Sequence, residues 1–400
     1  MEPLFIIGSK VIQILKHSGH EAYFVGGPVR DYLLQRPVHD IDITTTASVD
    51  QIEELFNSTV PIGKEHGTII VRLEGCSFEV TTFRSVATKE RSLIEDLQKR
   101  DFTMNAMAMT DEMELVDPFD FRKDLEDKLI RAVGNGNDRF TEDPLRMLRA
   151  CRFSSQLNFK IEVKTLHSIM QCRDQIGEVA VERVVSEFEK LLTAPMFSLG
   201  LHYLLGVELA RFIPIFANKE RVLRKLSTLK LSTLQSIEEV WTVFLLVDSN
   251  EDPVKYLKLL RKSKQFNQQV IHLYQALQTY KRNGWSNELI YDLGLERSLK
   301  LVRIVGFLLD AKHFYTEEEI HQWYVELPIQ SREDLSINGQ SLLQTFQRKQ
   351  GPWIERFLEN AEKAVLTYKV QNNQSEILAW LMKEGDSNDE GEAVGDAVRK

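Results

Sequence analysis

Cysteine is scarce in this chain of 400 residues: Cys76, Cys151 and Cys172 stand alone and far apart. That spacing excludes a disulfide-framed domain and a cysteine-built zinc site, and it fits a reducing cytoplasm. No apolar run is long enough to span a membrane. The apolar stretch from Phe5 to Leu15 is interrupted by Lys10. With Ser9, Gln13 and Lys16 it reads as an amphipathic helix rather than a signal peptide. Positive charge is not in excess, since the formal net charge is −9. General attraction to nucleic acid is therefore excluded, and an RNA partner must meet basic residues gathered on one surface. Tandem repeats and the His-Asp motif of metal-dependent phosphohydrolases are also missing.

What is present is enough chain for a large core and for roughly two to four domains. Tyr23, Phe24 and Val25 read as a short buried strand. Gly26-Gly27 follows, where the backbone can turn and approach a ligand because no Cβ intervenes. Pro28 suits a helix start, and Arg30 lies one turn in. Strand, glycine turn and helix start together point backbone N–H groups at a phosphate. The run Asp40-Ile41-Asp42-Ile43-Thr44-Thr45 alternates and reads as a strand. Residues i and i+2 of a strand share a face, so Asp40 and Asp42 converge while Ile41 and Ile43 enter the core. Two hard oxygen ligands aimed at one spot suit Mg²⁺, which completes its shell with water and phosphate oxygens. Taken singly, either motif could be a solvated turn.

Gly-Gly followed by Asp-x-Asp resembles the nucleotidyltransferase superfamily signature. The stretch Gly26-Gly27-Pro28-Val29-Arg30-Asp31 is similar to the first motif of bacterial class II tRNA nucleotidyltransferases, the CCA-adding family. Further on, Lys99-Arg100-Asp101-Phe102-Thr103-Met104-Asn105-Ala106 resembles that family's second motif, with Lys99 where the family has Arg. The resemblance implies that Gly27, Arg30, Arg100 and Asn105 approach a triphosphate. It also implies that Asp101 accepts a ribose hydroxyl. Val116-Asp117-Pro118-Phe119 resembles the hinge motif, with Phe121 where the family has Gly.

From about Asn137 the pattern is helical. Thr141 is the expected N-cap, with Glu142 and Asp143 in the first turn and Pro144 tolerated there. Arg146, Arg149 and Arg152 recur every third residue along one stripe, with Leu145, Leu148 and Phe153 lying elsewhere to pack. Glu142-Asp143-x-x-Arg146 resembles the family's base-reading motif. Its chemistry is direct: a carboxylate beside a guanidinium matches the amino donor and ring acceptor of cytosine or adenine. Uracil O4 or guanine O6 would instead face the carboxylate, a costly buried mismatch. Arg149 and Arg152 would then hold the triphosphate. Glu79, on an expected strand from Cys76 to Phe83, is a candidate third carboxylate. Gly177 to Leu192 resembles the fifth motif, read as a supporting helix. The clusters Lys219, Arg221, Arg224, Lys225 and Lys255, Lys258, Arg261, Lys262, Lys264 are candidate tRNA phosphate contacts. Ser336 to Leu343 looks like the tRNA-holding tail, with Ser341 where the family has Asp.

The expected fold is α+β. A nucleotidyltransferase-type mixed sheet with helices forms a catalytic head at 1–137. An all-α neck (138–195), body (196–292) and tRNA-binding tail (293–383) follow, and an acidic segment, 384–400, reads as disordered. The implied cofactor is Mg²⁺, and the partners are tRNA and CTP, with ATP if addition runs to completion. One spacing departs from the family: the segment Ser85 to Ser92 is short. Enzymes of this type that add all of CCA carry a longer flexible loop there, and those that stop after CC lack it. The expected activity is therefore addition of CC, alongside a separate A-adding enzyme, with complete CCA addition as the alternative. Behind it stand poly(A) addition or a non-catalytic RNA-binding protein, the last of which would be expected to lack a carboxylate at Asp40 or Asp42.

Overall fold

A computed structural model describes residues 3–63, 67–83, 92–229, 231, 234–248, 252–308 and 315–393, the last ten by backbone alone. The chain divides into two units, Met1–Leu229 and Lys230–Lys400. The division falls inside the segment 196–292 that the sequence reads as one body.

The first unit opens with α1 (Pro3–His17), whose apolar stripe of Phe5, Val11, Ile12 and Leu15 is buried. Phe5 meets Phe24 of β1 (Ala22–Val25) edge to face, with centroids 5.0 Å apart. After β1 come α2 (Gly27–Leu33), β2 (Asp42–Thr45), α3 (Val49–Leu55), β3 (Thr59–Gly63), β4 (Thr68–Leu73) and β5 (Cys76–Thr82). Ser48 caps α3 in a capping box with Gln51, as its sequence position suggests. Glu74 and Gly75 both take the left-handed conformation that a tight hairpin between β4 and β5 requires.

Next are α4 (Leu93–Gln98), β6 (Ala108–Met109), β7 (Leu115–Val116), α5 (Arg122–Glu126) and β8 (Leu129–Ile130). The strands make a mixed seven-stranded sheet in the order β3-β4-β5-β2-β1-β6-β7. Its parallel pair is β2 with β5, which sets Asp42 opposite Glu79. The turn before α5 explains the absent glycine. Asp120, not residue 121, takes the left-handed φ of 59°. Asp117 accepts from the backbone N–H groups of Phe121 (2.9 Å) and Arg122 (2.8 Å), and Phe121 stacks on Phe119.

Helices then dominate: α6 (Gly136–Glu142), α7 (Leu145–Leu157), α8 (Val163–Cys172), α9 (Val181–Leu192), α10 (Phe197–Gly206) and α11 (Glu220–Ser227). The exception is β9 (Lys160–Ile161), which pairs in parallel with β8. Thr141 is not an N-cap. Pro144 disfavours helical backbone at the residue before it, so α6 ends at Glu142 and Asp143 is extended. The Asp143 carboxylate accepts from Leu145 N–H and starts α7 itself.

The second unit contains α12 (Ile237–Val247), α13 (Pro253–Leu259), α14 (Lys264–Asn283), α15 (Asn287–Leu308), α16 (Glu317–Val325), α17 (Gly339–Phe346), α18 (Trp353–Leu366) and α19 (Gln374–Ala393). Gly294 kinks α15. Ile290, Val302, Ile320, Leu342, Phe357 and Ile377 share one core cluster. Ser341 completes a capping box with Asn338, so this short hydroxyl does what a carboxylate would do there. The backbone of α19 stays helical to Ala393, past the boundary at which composition places the disordered tail. Extending an existing helix costs far less than nucleating one. Among the described residues no helix is long and apolar enough to cross a membrane.

Candidate active site

The sheet and α7 face one cavity of about 800 Å³. Gly27, Arg30, Asp40, Asp42, Glu79, Arg100, Asp101, Asn105, Asp143, Arg146, Arg149 and Arg152 all line it. Residues more than a hundred positions apart in sequence therefore meet in one place.

At the glycine turn, Gly26 has φ 77° and precedes α2. A Cβ there would lie 3.1 Å from Arg100 Nη1 and 3.3 Å from Asp42 Oδ2, so the turn fits only glycine. The strand carrying the carboxylates is shorter than its alternation suggests. It begins at Asp42, and Asp40 precedes it, exposed. Alternation survives because Glu79 N–H bonds to the Ile41 carbonyl at 3.1 Å, while Ile41 and Ile43 are buried. Burial pushes the Asp42 carboxyl up to about 6, helped by the negative charges of Glu79 and Asp40 and opposed by Arg100 and Arg30. A carboxylate so crowded by like charge fits a cation. Among the described residues no three acidic, His or Cys side chains form a ready cage. An ion would take Asp40 and Asp42 and leave the rest of its shell to water and phosphate, as Mg²⁺ does. Glu79 acts on Asp42 as a neighbouring charge.

Every arginine of the pocket has a carboxylate behind it. Arg30, buried, grips Asp31 through Nε (3.0 Å) and Nη2 (2.8 Å), and its Nη1 donates to Asn105 Oδ1 at 2.8 Å. Arg100 donates twice to buried Asp96 on α4, at 3.2 and 2.9 Å. Arg149 donates twice to Asp101, at 2.9 and 2.7 Å. Asp101 also accepts from Phe102 N–H (2.8 Å) and Asn105 Nδ2 (3.0 Å), so all its lone pairs are in use. Burial alone would raise its carboxyl, but Arg149 and these hydrogen bonds hold it well below the usual range. Arg152 Nε lies 2.7 Å from Glu187 Oε2, close but poorly aligned for a hydrogen bond. Burial draws the Arg152 guanidinium down to about 10, and Glu187 resists.

Asp143 and Arg146, the pair that the family resemblance assigns to base reading, are split between different partners. Arg146 donates to Glu142 (2.9 Å) and to the carbonyls of Arg139 (3.1 Å) and Lys99 (3.1 Å). Asp143 Oδ2 accepts from Arg183 Nη2 of α9 at 2.9 Å. Lys99 itself turns to Glu142, 3.7 Å away, so Arg in its place is not needed on this side of the pocket.

Three lining residues, Arg183, Lys190 and Phe153, and one residue behind the lining, Glu187, escape the sequence reading. Arg183, Glu187 and Lys190 sit at i, i+4 and i+7 on α9, within the stretch read as support; that spacing was the available signal. Phe153 packs edge to face on Phe102, as read, yet also meets the arginine stripe. Its ring faces Arg152 at 3.9 Å and Arg30 and Arg149 at 5.2 Å. Lys219 is buried, unlike Arg221, Arg224 and Lys225, which remain exposed on α11.

A mixed sheet with a glycine turn and paired carboxylates, closed over by an arginine-bearing helix, defines a nucleotidyltransferase head. Comparison with known families agrees: residues 22–131 match the poly(A) polymerase head domain, 158–219 the RNA and SrmB-binding site of polymerase A, and 232–381 the tRNA nucleotidyltransferase domain 2. The CCA-adding enzyme of Anoxybacillus flavithermus is 40% identical over 385 residues, 93% of this chain and 95% of its own. A crystal structure of the Bacillus stearothermophilus CCA-adding enzyme in complex with CTP superposes with a TM-score of 0.90 at 34% identity, covering 98% of this chain and all of that one. A tRNA nucleotidyltransferase complexed with a primer tRNA and an incoming ATP analog gives 0.60 at 28% identity, over 79% of this chain and 98% of that one. The chain belongs to the CCA-adding family of tRNA nucleotidyltransferases.

Proposed function

We propose that the cavity takes CTP with Mg²⁺, and that this enzyme adds the two C residues of the 3′ CCA end of tRNA and stops there. The observation that carries the nucleotide reading is convergence: the Asp40/Asp42 carboxylates and the α7 arginines border one cavity of about 800 Å³. Asp40 and Asp42 would hold the ion. When bound, Mg²⁺ favours ionisation of the attacking hydroxyl and offsets charge on the leaving pyrophosphate. The tRNA 3′-oxygen forms a bond to the α-phosphorus as the bond to the pyrophosphate oxygen breaks. Arg30, Arg100, Arg149 and Arg152 orient the triphosphate for that in-line attack, exchanging carboxylate partners for phosphate oxygens. Asn105 keeps Arg30 and Asp101 in place, and Asp101 reaches the ribose once Arg149 turns to phosphate. Asp143 and Arg146 read the base without a nucleic-acid template.

Product length rests on the short segment Ser85 to Ser92. All of it but Ser92 lies outside the described residues. Turning the pocket from C to the larger A requires Asp143 and Arg146 to re-aim, and a longer loop would supply the lever. The second reading, complete CCA addition, is favoured by the names of the relatives. A tRNA ending before CCA, given CTP alone, ATP alone or both, separates the two on a sizing gel. Two added residues with CTP and no third with ATP is the expected result, with the A left to a separate enzyme. A third residue when both are present refutes it.

A further inference from the structure

We propose that Arg183 is a positioning residue for nucleobase choice, fixing the Asp143 carboxylate from the first turn of α9. The inference rests on the reading of Asp143 and Arg146 as the base readers.

Asp143 is held at two points. Oδ1 accepts from Leu145 N–H at 3.2 Å, which starts α7, and Oδ2 accepts from Arg183 Nη2 at 2.9 Å. A carboxylate has about four acceptor positions, so one on each oxygen stays open toward a ligand. Removing Arg183 leaves only the capping bond, and the carboxylate can then pivot about it. Arg146 cannot take over. Its guanidinium N–H donors are committed to Glu142, Arg139 and Lys99, none to Asp143, and its side chain is only 11% exposed, which leaves its remaining donors for a base rather than for the carboxylate.

Fixing the carboxylate matters for choice rather than for binding in general. Cytosine presents an amino donor to Asp143, whereas uracil presents a carbonyl oxygen. Rejection of uracil depends on the carboxylate staying where the misfit is felt. A carboxylate free to turn toward water escapes the repulsion and forgives the wrong base. Arg183 is well placed for this task and poorly placed for holding the fold. Its side chain is 55% exposed, where an ion pair adds little stability. It also lines the cavity with Asp143 and Arg146.

The test compares the wild-type enzyme with Arg183→Ala, Arg183→Lys and Arg183→Gln, using tRNA that lacks CCA and either CTP or UTP. In Arg183→Ala, KM for CTP rises about tenfold with kcat little changed, and the CTP-to-UTP ratio of kcat/KM falls by about tenfold or more. Arg183→Lys recovers most of that ratio and Arg183→Gln does not. In an Asp143→Asn background the Arg183 substitution changes the ratio no further. Equal losses on CTP and UTP, the mark of a general folding defect, overturn the proposal, and so does an unchanged ratio. A wild-type enzyme that incorporates CTP while the ratio stays unchanged sinks this inference alone. A wild-type enzyme that incorporates no nucleotide sinks the underlying reading with it.

Discussion

Asp42 and Glu79 stand opposite each other as register partners on the parallel strands β2 and β5, two carboxyl groups on one face of the sheet. Burial and this neighbour raise the Asp42 carboxyl to about 6. The unfolded value is about 3.9, so the native state binds its proton more tightly than the unfolded chain does. The resulting destabilisation is absent below pH 4, grows as pH rises, and is complete above the folded value.

Asp42→Asn therefore raises the melting temperature of the metal-free protein at pH 7.5, and the gain disappears by pH 4. The upper bound is about 3 kcal/mol, reduced because the side chain is half-buried rather than enclosed. Added Mg²⁺ stabilises the wild type and not the variant, and nucleotide addition is lost in the variant. Thermal melts across pH, with and without Mg²⁺, measure this. Equal melting temperatures at pH 7.5 would show that the two carboxyl groups do not crowd each other.

Gly26→Ala forces a side chain into left-handed backbone and against Arg100 and Asp42. The strain costs about 1–3 kcal/mol. Because the displaced groups border the reacting centre, kcat falls by more than about tenfold. Single-turnover addition of CTP reads the effect. Wild-type rates in a variant that melts a few degrees lower would place the turn outside the chemistry.

Glu187→Gln leaves Arg152 without its buried counter-charge and loosens Arg149, whose Nη1 lies 3.8 Å from the same carboxylate. Removing one partner of a buried ion pair costs about 3–5 kcal/mol, and only part of that needs to reach the triphosphate for KM for CTP to rise by about tenfold or more, while binding of the nucleoside cytidine does not change. Calorimetric titration with CTP and with cytidine separates the two. Parallel weakening of both ligands would assign Glu187 to the fold and not to the triphosphate.

Local spacing made much of this legible in sequence. Gly26-Gly27, Asp40-x-Asp42 and the Arg146-Arg149-Arg152 stripe each declare their geometry within a few residues. What stayed hidden depends on long-range pairing. Asp143 meets Arg183, and Arg152 meets Glu187, across two helices that no short window relates. Phe153 packs as expected, edge to face on buried Phe102, but the three guanidinium groups that also meet its ring were not legible from local spacing. The start of α7 was misread at Thr141 because a good capping residue was weighed above the backbone restriction that Pro144 imposes.

The pairing of each pocket arginine with its own acid bears on turnover. A cleft of bare guanidinium groups would clutch pyrophosphate long after the bond had broken. Here Asp31, Asp96, Asp101 and Glu187 wait behind their arginines as standing rivals of the by-product, ready to reclaim them. If those arginines hold the triphosphate as proposed, emptying the cleft between rounds is built into the same contacts that prepare it for filling.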